Sequence, residues 1–241
     1  MNAPLAAHCV VCGQAVPGWL PHPHLEARSP FMKLMQAVGS DLQLYQCPAC
    51  GCNDRDRHLW LYFQALDLPA QLAGWRVLHL APERRLEPLI ESCRPAQYVR
   101  GDLHPTRPDI RRVDAEAMPF ADAAFDLLIA NHLLEHVADP GRALAEFHRC
   151  LRPGGLLVAQ TPYSPLLRST FELKVPAGPE FAAMFYGQND HVRLFAEDLV
   201  ELVHAAGFEG ELLPHEVLLP GVAAAAAGVN AREPLFMFTR R

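Results

Sequence analysis

Four of the seven cysteines fall into two copies of one pattern, Cys9-Val-Val-Cys12-Gly13 and Cys47-Pro-Ala-Cys50-Gly51. A C-x-x-C pair can wrap a tight turn around a metal, and the glycine behind it is free to take the positive φ such a turn requires. Together the two knuckles supply four thiolates, a closed tetrahedral set for Zn²⁺ with no open position. The implied ion is therefore structural, not catalytic. Cys52, two residues beyond Cys50, is an alternative to it as a ligand. A redox pair or free thiols are the competing reading. His8, His22, His24 and His58 lie near in sequence and read as surface histidines, and the segment between the knuckles, with Pro17, Pro21, Pro23 and Pro30, reads as a loop.

Two other groups could do chemistry. His132-Leu-Leu-Glu135-His136 matches the H-x-x-E-H pattern in which two helical histidines bind zinc and the glutamate acts as a base. Here the histidines directly follow a strand and no third ligand region stands out, so His136 reads as a packed helix-start residue. Asp122 and Asp126 likewise read as a turn residue and a strand-edge residue. Asp190-His191 with Arg193 gathers an acid, a base and a cation within four positions.

The elements that must position these residues alternate. A helix begins at Asp54, with Leu59, Tyr62, Phe63 and Leu66 at steps of three and four, and Pro69 closes it. Trp75–Leu80 is a buried strand; Leu86, Leu89, Ile90 and Cys93 mark an amphipathic helix with Pro88 in its first turn. Strands follow at Gln97–Asp102 and Phe125–Ala130. Asp139-Pro140 opens a helix that Pro153-Gly154-Gly155 ends, ahead of a strand at Leu156–Gln160. Leu212–Leu213 with Val217–Leu219 suggests one further strand and Pro234–Thr239 the last, with Gly221–Gly228 a connection or short helix. Such alternation predicts an α/β fold, a Rossmann-like, mostly parallel sheet with helices on both faces. Ligands of such sheets bind beyond the carboxyl ends of the strands. The residues there are Ala81-Pro82-Glu83, Asp102, Asp114-Ala115, Asn131-His132 and Thr161-Pro162.

Val77 to Pro162 resembles the class I S-adenosylmethionine-dependent methyltransferases. The match is strongest over Val113-Asp-Ala-Glu-Ala-Met-Pro-Phe-Ala-Asp-Ala-Ala-Phe-Asp-Leu-Leu-Ile-Ala-Asn-His-Leu-Leu-Glu-His-Val137 and Leu151-Arg-Pro-Gly-Gly-Leu156. Gly187–Phe195 and Ala205–Phe208 look like that family's later segments, and a zinc knuckle ahead of the domain looks like a subset of it. The boundaries expected are a zinc-knuckle module over 1–53 and a methyltransferase domain over 54–241, with an antiparallel edge strand at the C-terminus. Asp102 ends the second strand, placed to accept hydrogen bonds from both ribose hydroxyls of the cofactor. The resemblance implies Asp114 for the adenine amino group, the Ala115 N–H for a ring nitrogen, and Asn131 and His132 beside the methyl donor. The first loop departs from the family: His79-Leu-Ala-Pro-Glu-Arg-Arg85 has no glycine. Ala81 and Pro82 are expected to make the turn there, with Glu83 on the methionine amino group.

Methyl transfer is an in-line displacement, so alignment is the enzyme's main contribution, and an oxygen or nitrogen acceptor also gives up a proton. The stretch 163–190 is long for a connection and rich in aromatics, which suggests a substrate lid closed by Asp190, His191 and Arg193. His191 is the candidate base or substrate contact, with Asp190 beside it; a polar brace is the alternative for the same residues.

Composition restricts the rest. The 241 residues are 50% apolar, enough for a sizeable core, and carry 21 basic against 27 acidic side chains, with Lys33 and Lys174 the only lysines. A net charge of −6 gives no global attraction to a nucleic-acid backbone. An RNA base methyltransferase using Arg55, Arg57, Arg111 and Arg112 as a patch is thus the second reading, and a cofactor-free scaffold the third. No run approaches the length of a membrane span, and Met1-Asn2-Ala3-Pro4 lacks an export signature, so the expected compartment is the cytoplasm. The expected acceptor is a small molecule or a protein side chain.

Overall fold

The computed structural model describes residues 7–25, 29–176 and 178–241. The export reading of Met1–Pro4 lies outside them. Strands β1 (Ala7–His8) and β2 (Ala15–Val16) form a small antiparallel hairpin bearing the first knuckle. The stretch between the knuckles is not all loop. It contains helix α1 (Pro30–Leu34), which Ser29 caps by accepting from the N–H groups of Phe31 and Met32.

Helix α2 (Asp54–Ala65) opens on a capping box. The Asn53 side chain accepts from the Asp56 N–H, and the Asp56 carboxylate accepts from the Asn53 N–H. Pro69 does not close this helix. The chain turns at Asp67 (φ 55), and Pro69 sits in the first turn of the next helix, α3 (Leu68–Gln71), where a missing N–H costs nothing.

Then come β3 (Arg76–Leu80), α4 (Glu87–Ser92), β4 (Gln97–Asp102), β5 (Arg111–Arg112), β6 (Phe125–Ile129), α5 (Pro140–Cys150) and β7 (Leu151–Val158). The expected stop at Pro153-Gly154-Gly155 is instead part of β7. Helix α5 ends at Cys150, and the register of β6 on β7 shifts between Phe125 and Leu127. A Cβ on Gly155 would stand 2.8 Å from the Arg152 carbonyl oxygen, so this irregularity needs glycine.

The 163–190 stretch holds β8 (Phe171–Glu172) and α6 (Pro179–Phe185), and β8 pairs with β9 (Arg193–Leu194). After α7 (Asp198–Ala205) come β10 (Phe208–Glu209), β11 (Leu212–Leu213), α8 (His215–Leu218), α9 (Ala224–Ala227) and β12 (Leu235–Arg240). Val217 and Leu218, expected in a strand, lie in α8 behind Pro214.

The main sheet runs β10-β12-β7-β6-β3-β4-β5 and is parallel from β7 to β5. The C-terminal β12 lies antiparallel to β7, β10 and β11. Leu78, Leu128 and Leu157 pack with Leu144, Phe147, Leu199 and Val203 on one face. On the other, Val77, Leu127 and Ile129 meet Leu59, Phe63, Leu72 and Ile90. Burial on both faces is why the central strands read as continuous apolar runs. This is the Rossmann-like layer order expected.

The N-terminal segment is stitched onto this body. Val38 bridges Tyr163, and the Ser164 hydroxyl donates to the Met35 carbonyl at 2.6 Å. Met32 of α1 packs with Ala182 and Tyr186.

Candidate active site

The parallel strands deliver their carboxyl ends to one edge, where most of the expected cofactor residues lie. Behind β3, Ala81 adopts φ 46, the left-handed conformation that a glycine would take without strain. The turn therefore forms without the glycine. Asp102, at the end of β4, accepts from the His104 N–H through Oδ1 at 2.7 Å, and its other oxygen has no hydrogen-bond partner among the described residues. Exposed Asp114 accepts from the Glu116 N–H in the same way, at 2.9 Å. Ala115 is buried, and its N–H makes no hydrogen bond among the described residues.

Glu83 and Asn131 are tied together. Glu83 takes the Asn131 amide at 3.0 Å and contacts His79 Nε2 at 2.5 Å. Burial raises its proton affinity, but the charge and hydrogen bond of His79, with the Asn131 amide, hold the carboxyl down to about 2. Asn131 in turn accepts from the Gln160 N–H at 3.0 Å, linking the ends of β3, β6 and β7. A cavity of about 10 Å³, room for roughly one water, lies against Arg55, His58, Glu83, Asn131, His132 and Glu233.

A larger cleft of about 460 Å³ opens beside it. Its walls come from the N-terminal segment (His22, Met32, Val38, Tyr45), from the end of the 163–190 stretch (Tyr186, Gln188) and from His191. Arg55 lines both spaces. Its guanidinium makes no hydrogen bond or ion pair among the described residues, and its Nε is buried. Sequence reasoning placed Arg55 only in a surface patch. The signal that could have found it here is its place in the first turn of α2, next to the sheet's opening.

Of the four arginines read as a patch, Arg111 and Arg112 are exposed, whereas Arg57 is withdrawn from the surface. Arg57 is fully buried, donating to the carbonyls of Leu44, Tyr45, Cys52 and Gly228 while stacked 4.0 Å over Trp19. His58 is not a surface histidine either: it is 1% exposed, and its Nε2 lies 2.8 Å from His215 Nδ1. His22 and the exposed His24 both line the cleft, and His8 is exposed.

His132, Glu135 and His136 lie in a turn, not on a helix, with His132 at φ 50. The peptidase arrangement, which needs helical spacing, is therefore absent, and His136 is not a helix-start residue. Buried Glu135 accepts from the Thr161 hydroxyl at 2.8 Å and lies 3.5 Å from His132 Nδ1. His191 is buried, its Nδ1 is 2.8 Å from the Tyr186 carbonyl, and burial holds its pKa below the usual histidine value. Asp190 is not in contact with the cleft; it approaches His136 Nδ1 at 3.5 Å. Arg193 is a brace. It donates to the carbonyls of Leu134, Val137 and Ala138 and pairs with Glu172.

The sulfurs of Cys9, Cys47, Cys50 and Cys52 all lie within 4.8 Å of one another. Cys52 thus joins the tight group instead of Cys12, which is half-buried beside it, near enough to Cys9 and Cys50 to feel their thiols. Cys52 enters because the Cys47 N–H donates to its carbonyl at 2.9 Å, folding the second knuckle back on itself.

Comparison with known proteins follows the same lines. Residues 87–159 match the family described as a methyltransferase domain. A demethylmenaquinone methyltransferase of Clavibacter sepedonicus is 27% identical over 67% of this chain and 76% of its own. A ubiquinone/menaquinone biosynthesis C-methyltransferase of Psychromonas ingrahamii is 30% identical over 41% of this chain and 45% of its own. The solved structure of a protein described as an S-adenosylmethionine-dependent methyltransferase from Listeria monocytogenes superposes with a TM-score of 0.50. It is 12% identical, over 76% of this chain and 99% of that one, and shows the fold alone. Residues 87–159 thus carry a methyltransferase-domain match, set in the fold seen in solved S-adenosylmethionine-dependent methyltransferases. Most of the alignments to curated relatives span less than half of the relative, 14% to 45% of its length.

Proposed function

We propose that this chain transfers the methyl group of S-adenosylmethionine to a small molecule or a protein side chain held in the 460 Å³ cleft, a volume suited to a ligand of that size. The observation that carries this reading is the convergence at one sheet edge of a left-handed Ala81 turn, a half-free Asp102 carboxylate and an unpaired Ala115 N–H. These donors and acceptors fit the cofactor. Asp102 would take the ribose diol, Asp114 the adenine amino group, and Ala115 a ring nitrogen. Glu83 and Arg55 line the same water-sized gap, and a methionine tail would pair its ammonium with Glu83 and its carboxylate with Arg55 as that gap opens. An entering ammonium would displace the Asn131 amide from Glu83. Bound there, the cofactor supplies an electrophilic methyl group.

Asn131 and His132 hold the loop behind β6 against the Gln160 backbone, and so fix the wall between cofactor and acceptor. His191 is the residue at the lid's exit that reaches the acceptor side, with Asp190 further out. Excluding water and aligning the two reactants are the tasks left to the lid and α1.

The cysteine group would hold a structural Zn²⁺ through Cys9, Cys47, Cys50 and Cys52, with Cys12 beside it. The acidic net charge and the burial of Arg57 count against an RNA substrate.

Titration calorimetry with S-adenosylmethionine tests the cofactor site. Losing the two hydrogen bonds to the ribose should cost about 2–3 kcal/mol, so Asp102→Ala should weaken binding about 30- to 150-fold. Unchanged affinity in that variant would put the nucleoside elsewhere, and no binding to the parent protein would favour a scaffold.

A further inference from the structure

The methyltransferase reading leaves one group of side chains unexplained. Ten buried side-chain polar atoms lack a hydrogen-bond partner among the described residues, and three of them meet behind β6: His132 Nδ1, Glu135 Oε1 and His191 Nε2. Native proteins pair almost all such atoms; His132 Nδ1 faces Glu135 Oε1 at 3.5 Å, which leaves the His191 Nε2 lone pair beside that carboxylate without a partner. A proton shared between Glu135 and His191 does not provide one, because the two are not within ion-pair distance. His191 Nδ1 lies 2.8 Å from the Tyr186 carbonyl, which accepts only from a protonated nitrogen. The proton is therefore on Nδ1, and Nε2 carries a bare lone pair within the same group as a carboxylate oxygen.

One ligand atom each from Glu135, His136 and His191 all lie within 4.8 Å of one another. A metal ion bonds to such atoms at about 2.0–2.2 Å, which places any two of them at most about 4.4 Å apart. Only a small inward turn of the exposed His136 is needed. We infer that Glu135, His136 and His191 form a divalent metal site distinct from the cysteine group, with an open coordination position beside the large cleft.

Two imidazoles and one carboxylate select a borderline ion such as Zn²⁺, Co²⁺, Ni²⁺ or Fe²⁺ over Mg²⁺ or Ca²⁺, which prefer all-oxygen sites. The outer contacts are those of a built site. Thr161 holds the far oxygen of Glu135 at 2.8 Å, the Tyr186 carbonyl fixes the His191 tautomer, and Asp190 stands 3.5 Å from His136 Nδ1. His191 also lines the cleft, so the free position suits an oxygen-bearing ligand there, a hydroxyl or a carboxylate. That role rests on the acceptor cleft proposed above; the metal site itself does not.

The test counts metal on the purified 241-residue chain. Purified protein loaded with excess Co²⁺ and desalted should retain two equivalents by elemental analysis. One should show the strong thiolate charge-transfer bands of a cysteine site, the other only weak d–d absorption from nitrogen and oxygen ligands. His136→Ala, at an exposed position, should fold normally and retain one equivalent, with the thiolate bands intact. His191→Asn should do the same, and Glu135→Gln provides a third variant if it folds. A single equivalent in the parent protein, or a second that survives both histidine substitutions, overturns the proposal. Failure of methyl transfer with two equivalents bound would overturn only the acceptor reading.

Discussion

Arg57 shows how much one side chain can hold. Its guanidinium donates to four backbone carbonyls, from the loop ahead of the second knuckle, from Cys52 and from Gly228 at the end of α9. Gly228 receives two of these bonds, and a Cβ there would stand 2.3 Å from Trp19. Arg57→Met should cost about 3 kcal/mol or more by leaving buried carbonyls unpaired, measured as a fall in the urea midpoint, and Lys, lacking the fork, should restore little of it. Asp56 makes a second prediction. Burial, chiefly, raises its carboxyl to about 6, so the folded state holds the proton more tightly than the unfolded state. Its contribution is fully present below about pH 4 and is lost as pH rises through 6. Asp56→Asn keeps an acceptor for the Asn53 N–H and removes the titration. It should flatten the stability–pH curve between 4 and 6, and stabilise the protein at pH 7 by about 1 kcal/mol or more. Glu83 acts with the opposite sign: held down to about 2, it contributes above its ordinary value and that contribution is lost as pH falls from about 4.5 toward 2. At Ala81, glycine relieves the left-handed strain. Ala81→Gly should leave stability within about 1 kcal/mol of the parent, while the β-branched Ala81→Val should destabilise by about 1–2 kcal/mol.

Among the elements, the β8–β9 ribbon with α6 depends on a brace that also reaches the loop behind β6. Arg193 is 1% exposed and joins Glu172 of β8 to the carbonyls of Leu134, Val137 and Ala138. Arg193→Met should free this ribbon before it unfolds the sheet. The expected readout is faster limited proteolysis between residues 165 and 190 with little change in far-UV circular dichroism. Gly187, at φ 99 with Met32 Cε only 2.9 Å from where a Cβ would stand, is the close contact that seats α1 against this ribbon. Both contacts lie in segments whose sequence reads as loop, because their helices are short and their apolar residues face each other and not the main core.

For the molecule as a whole, the N-terminal segment supplies a wall of the cleft. Removing the proposed Zn²⁺ from the cysteine group should therefore affect more than the knuckles. Treatment with a zinc chelator, or Cys52→Ser, should lower the melting temperature by several degrees and weaken ligand retention in the cleft, read by differential scanning calorimetry with and without ligand. Among the described residues no helix is long and apolar enough to cross a membrane.

What the sequence determined alone is the sheet and the edge where it opens. β3, β6 and the second half of β7 are apolar runs whose two-faced burial writes itself into local composition, and with β4 between turn signals they put Asp102, Asp114 and Asn131 at predictable ends. The paired knuckles were legible for the same local reason. Only the tertiary structure brought Cys52 into the thiol group, buried Arg57, turned Arg55 toward two cavities and set His191 against Glu135 and His136. Each of those outcomes depends on contacts between residues tens of positions apart, set by how the N-terminal segment and the 163–190 ribbon close over the sheet, and no spacing within a single element encodes such a distance.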